Sequence, residues 1–178
     1  DAEGVFAYAL YLSARGRPGL AIEQLRSIPR ARRSNAMRSN LLRLEFAQAV
    51  AGLPVDDRQG RLQSLQALEE RYRDDADTQL SLAEMWWQEG EEERARALIE
   101  PLLPMSSQSI ERQQRVALLW LEMGDLNAFE RWYRPLRTEA NANGLSDAEL
   151  EALSARYAMA KGQYFAERDK AILARRYY

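Results

Sequence analysis

The sequence predicts an all-α chain: a solenoid of about five antiparallel helical hairpins wound into a right-handed superhelix. Three observations predict it. Features recur at a spacing of 34 residues: Gly90 to Gly124, Ala83 to Ala117, Trp86 to Trp120, and Pro101 and Leu102 to Pro135 and Leu136. An alanine stands seven residues before each of four glycines: Ala9 before Gly16, Ala83 before Gly90, Ala117 before Gly124 and Ala155 before Gly162. Apolar residues follow a helical period, and no segment sustains the alternation of a half-buried strand. A short hairpin cannot hide its own apolar face. It becomes stable by lying against its neighbours, and a stack of such hairpins curls around a concave face.

Each element has its own warrant. The first hairpin pairs residues 3–15 with 18–28 and leads into the loop around Pro29. The second pairs 36–51 with 58–73 across a longer turn, GLPVDDRQG. The third pairs 76–89 with 91–103. The fourth follows the stop signal PMSSQS and pairs 108–123 with 125–141. The fifth pairs 147–161 with 163–177, opened by a capping box of Ser146 and Glu149. Taken together, residues 1–178 read as one domain of hairpins at about 3–28, 36–73, 76–103, 108–141 and 147–177. A glycine inside a helix costs about 1 kcal/mol against alanine, so Gly16, Gly90, Gly124 and Gly162 are expected between helices. There they supply the open turn that lets the second helix fold back. The alanine one face earlier lets helix backbones approach closely.

Composition removes several classes of function. Hydrophobic residues make up 46%, and 25 basic residues nearly balance 27 acidic ones, an ordinary globular balance. No apolar run approaches the roughly 18 to 20 residues of a membrane span. The chain has neither cysteine nor histidine. It therefore lacks disulfides and thiolate metal sites, together with the commonest general base and metal ligand. The carboxylates of EGEEERA and RDDAD fit solvated helical faces, and Glu92 to Arg96 has the favourable i,i+4 order. No EF-hand, Walker or dinucleotide motif is present. No catalytic residue, cofactor or metal is expected. A start at Asp1 without methionine and an end at ARRYY within a helical pattern suggest a piece of a longer chain.

A 34-residue helix-turn-helix period is the mark of tetratricopeptide repeats, which the chain resembles along its length. In that register Trp86 and Trp120 stand four before the turn glycine and read as core. The next position, Trp87, lines the concave groove of this repeat class or packs against the next hairpin. Leu121 and Met159 share its register, with Glu84, Leu118 and Arg156 one turn earlier. These six are the candidate groove residues for a partner. A second candidate is the acid-free stretch from Arg26 to Leu44, which includes Arg30, Arg32 and Arg33. Such a strip suits phosphate, yet the net charge is −2 and no nucleic acid is expected.

The segment FAYALYLSARGRPGLAIEQLRSIPRARRSN carries a finer likeness. Its Ala9–Ser13 helix, the stretch Ser27–Ala31, and Ser34 with Asn35 resemble the repeat region of the bacterial cellulose synthase operon protein C family. The likeness covers about the first 35 residues. It implies a periplasmic scaffold ahead of an outer-membrane barrel, binding subunits of an exopolysaccharide synthesis and export complex and guiding the polymer. The rival reading of the residues is a cytoplasmic regulatory module that binds a peptide or nucleic acid.

Overall fold

A computed structural model describes residues 1–102, 109–138 and 145–167. Among them the chain is all-helical, with no strand. The helices are α1 (Ala2–Ala14), α2 (Pro18–Ser27), α3 (Asn35–Ala51), α4 (Arg58–Arg71), α5 (Ala76–Gln88), α6 (Glu92–Ile99), α7 (Ile110–Glu122), α8 (Leu126–Thr138) and α9 (Asp147–Glu167). Short 3₁₀ turns occupy Arg30–Arg32 and Glu100–Leu102. The expected residues 103–108, 139–141 and 168–177 lie outside the described part.

Three of the predicted turn glycines have one shared geometry. Gly16, Gly90 and Gly124 take φ of 70°, 82° and 72°, the left-handed region. In each turn the amide just after the glycine bonds back across five residues. Arg17 N donates to Leu12 O (3.0 Å), Glu91 N to Trp86 O (2.9 Å) and Asp125 N to Trp120 O (2.8 Å). The glycine amide itself bonds three residues back, to Ser13, Trp87 and Leu121. This paired closure is the Schellman motif. The register also holds inside the fold: Ala9, Ala83 and Ala117 are buried, as are Trp86 and Trp120. A Cβ at Gly90 would meet nothing within 4 Å, so its φ alone demands glycine. Gly90→Val is expected to lose about 2 kcal/mol of stability, checked by urea unfolding. Gly90→Asn, which tolerates this region, is expected to lose less.

The fourth glycine departs from the prediction. Gly162 is buried inside α9, which runs unbroken from Asp147 to Glu167. No turn forms between 161 and 163. The residues after it explain why. Gln163, Tyr164 and Phe165 carry no helix-start signal, and the half-buried rings of Tyr164 and Phe165 meet edge to face at 5.5 Å. Without a turn the alanine seven before has no packing role. Ala155 is exposed, while Leu153 is buried and Tyr157 half-buried. The Ser146–Glu149 capping box does open the helix: Ser146 N donates to Glu149 Oε2 at 2.8 Å and Glu149 N to Ser146 Oγ at 3.3 Å.

The chain divides into two compact units, Asp1–Thr78 and Gln79–Tyr178, where one domain is expected. The division falls within α5. The first unit closes a buried apolar cluster of its own, from Ala9 to Leu44, wholly within Asp1–Thr78. In the first unit α1, α2 and α3 enclose Ala9, Leu12, Ala21, Ile22, Leu25 and Met37. The turn after α3 has no positive-φ glycine; Arg61 closes it by donating to the carbonyls of Pro54 (3.0 Å) and Val55 (2.7 Å). In the second unit Phe129 is the centre of an aromatic cluster with Trp132, Tyr133 and Tyr157. The expected Glu92–Arg96 pair forms at 3.0 Å, and Arg96 also reaches Asp125 at 3.3 Å. Pro101 and Pro135, one period apart, differ: Pro101 lies in a 3₁₀ turn, Pro135 inside α8.

Candidate binding cleft

The aromatic cluster sets the position of α9. Tyr133 donates its hydroxyl to Leu150 O at 3.2 Å, and Tyr157 donates to Glu130 Oε2 at 2.8 Å. Lys161 Nζ sits 4.5 Å from the centre of the Tyr157 ring. The two hydroxyl bonds join α9 to α8 and turn its residues 156, 159, 160 and 163 together toward α7, since helical positions at i, i+3, i+4 and i+7 share one face.

The cleft between α7 and α9 holds a cavity of about 390 Å³. Leu118, Leu121 and Glu122 line one wall; Arg156, Met159, Ala160 and Gln163 line the other. It continues toward the α7–α8 turn as a second space of about 290 Å³, reaching Met123, Gly124 and Tyr164. Met159 is 57% exposed. Arg156 is exposed and makes no hydrogen bond or ion pair among the described residues. The arrangement is an apolar floor with a cation, a carboxylate and an amide at its rim. It can grip a small amphipathic surface. It offers no nucleophile paired with a base.

Four of the six predicted groove residues therefore meet: Leu118, Leu121, Arg156 and Met159. Glu84 does not join them. Arg115 Nε and Nη2 grip its carboxylate at 3.1 and 2.8 Å, and the same guanidinium reaches Ser81 Oγ at 3.0 Å. Glu84 is thus committed to joining α5 and α7. Trp87, half-buried on α5, does not line the cleft. The sequence reading missed Glu122, Ala160 and Gln163. The 156–159–160–163 spacing was a usable signal, hidden by the expected break at Gly162.

The arginine strip lies in the first unit and is mostly spent on its own fold. Arg33 donates to Ile28 O and Arg26 O, both at 2.9 Å. Arg26 pairs with Glu45 at 2.6 Å, Arg38 donates to Arg33 O at 2.8 Å and Arg43 to Asn40 Oδ1 at 3.0 Å. Arg30 and Arg32 remain exposed, with no side-chain partner among the described residues.

The support behind the cleft titrates. Glu130 is held below the ordinary carboxylate range, first by the Tyr157 hydroxyl, with partial desolvation opposing and Lys161 and Arg134 adding to the lowering. A depressed folded-state value stabilises the fold above the unfolded pKa near 4.5, and that gain disappears as pH falls through the folded value. Between about pH 5 and pH 3 the chain is expected to lose more stability than Glu130→Gln does, measured as urea midpoints across that range.

Compared with known proteins, the chain matches no family model, no curated protein and no solved structure.

Proposed function

We propose that this chain is a non-catalytic binding scaffold: tetratricopeptide-like hairpins stacked into a right-handed solenoid, working in the periplasm. Its place is within a bacterial cellulose or exopolysaccharide synthesis and export machine, where it holds protein subunits and the polymer. The observation that carries the binding role is the α7–α9 cleft, which combines an apolar floor with the unpartnered Arg156. The three Schellman turns in one register support the repeat class. The Ala9–Ser13, Ser27–Ala31 and Ser34–Asn35 likeness supports the polymer setting. In this reading Leu118, Leu121 and Met159 cover the C–H face of a sugar ring, and Arg156, Gln163 and Glu122 meet its hydroxyls.

The test is a titration of isotope-labelled protein with cello-oligosaccharides. Expected are shifts at the Leu118, Leu121 and Met159 methyl groups, with binding weakened about tenfold by Arg156→Ala. No response at these methyls to any oligosaccharide would remove the polymer from the proposal. The cytoplasmic regulatory reading draws on one observation, the exposed Arg30 and Arg32. It predicts that a short RNA or acidic peptide shifts those residues instead. Against it, Arg26, Arg33, Arg38 and Arg43 already serve the fold.

A further inference from the structure

The α7–α9 cleft is graded along its length. Leu118 and Arg156 border only its space of about 390 Å³, whereas Glu122 and Gln163 border that space and the one of about 290 Å³. In the second space later residues of α7 meet later residues of α9, so the two helices run the same way along the cleft. Arg156 therefore stands at one end. Glu122 stands about 6 Å further along, the rise of the four residues from Leu118. Both side chains are exposed, and among the described residues neither makes a hydrogen bond or an ion pair. Leu121 and Met159 lie between them, and both walls of the cleft belong to the described chain. One apolar floor thus carries a cation and a carboxylate that do not satisfy each other.

We infer that the cleft selects an acidic polysaccharide in which a carboxylate-bearing sugar is followed by a neutral one. This rests on the reading of the cleft as the seat of the polymer. A guanidinium presents a planar fork of donors that matches a carboxylate through two parallel bonds. Such charge-assisted bonds are about twice as strong as bonds to a neutral hydroxyl. A neutral glucan would cover Arg156 and return only hydroxyl bonds. Glu122, when ionised, can only accept, so it suits sugar hydroxyls and repels a second acid. Gln163 beside it both donates and accepts, which fits an uncharged ring. From Arg156 to Gln163 the cleft follows α9 for about 10 Å. The two requirements therefore fall on successive rings rather than on one.

Methyl shifts of the isotope-labelled chain, followed at Leu118, Leu121 and Met159, test it with three hexasaccharides. One is cellohexaose, one alternates glucuronate with N-acetylglucosamine, and one is hexagalacturonate. The alternating probe is expected to bind about tenfold more tightly than the other two at low salt. Its lead is expected to shrink as salt rises. Arg156→Gln is expected to erase the lead, and Arg156→Lys, a cation without the fork, to keep part of it. Glu122→Gln is expected to bring the all-acid probe level with the alternating one. Circular dichroism should stay unchanged in all three variants, because both side chains are exposed. Equal affinity for cellohexaose and the alternating probe overturns the inference and leaves the cleft a saccharide site. An all-acid probe that already matches the alternating one in the unaltered chain overturns the role of Glu122. Hexaglutamate shifting the same methyls as strongly overturns the saccharide class. Silence toward every saccharide overturns the inference together with the reading of the cleft.

Discussion

Phe129→Ala is expected to lower the stability of the Gln79–Tyr178 unit by about 3–5 kcal/mol. Phe129 is 0% exposed, and three rings surround it: Tyr157 at 5.0 Å, Tyr133 at 5.3 Å and Trp132 at 5.8 Å between centroids. Those rings cannot easily close over the hole. Tyr133 is tied to Leu150 O, Tyr157 to Glu130, and Trp132 Nε1 to Gln113 Oε1 at 3.1 Å. A cavity whose walls are held apart keeps the full cost of the lost contacts. Urea unfolding followed by circular dichroism measures it. A loss below about 1 kcal/mol would mean that the cluster is not packed as described.

The second large effect separates two adjacent tryptophans. Trp86→Ala is expected to lose about 3–5 kcal/mol, since Trp86 is only 2% exposed and also receives the Arg94 guanidinium 4.4 Å from its ring. Trp87→Ala, at a half-buried position, is expected to lose about 1 kcal/mol. Unfolding curves of the two variants check the register directly. Equal losses, or the reverse order, would show that the face assigned to the core on α5 is misplaced.

Much of the local architecture was legible. The helices expected within residues 3–28, 36–73 and 76–102 agree with the observed ones to within a few residues, because apolar period and turn chemistry point the same way there. Gly162 shows where that reading fails. Glycine permits a left-handed turn but does not compel one. The three glycines that do turn are each followed by a helix-start feature: Pro18 at the first helical position, the acids Glu92 and Glu93, and Asp125, which accepts from Ala128 N at 2.9 Å. Gly162 has no such follower, and the helix simply continues.

The site was legible in part for a related reason. Leu118, Leu121, Arg156 and Met159 share a register within their helices, so a local pattern could group them. Glu84 shares that register as well, yet its partner Arg115 lies 31 residues away. A pairing between side chains so far apart leaves no trace in local spacing.

The turns at Gly16, Gly90 and Gly124 carry a consequence for how such a chain can change in length. Each is closed wholly by its own main chain and asks of its surroundings only a residue without a side chain. Duplicating or excising one helix pair would therefore join at ready-made corners, with no new loop to invent. Chain length becomes adjustable in whole steps, the way a folding rule grows by the section.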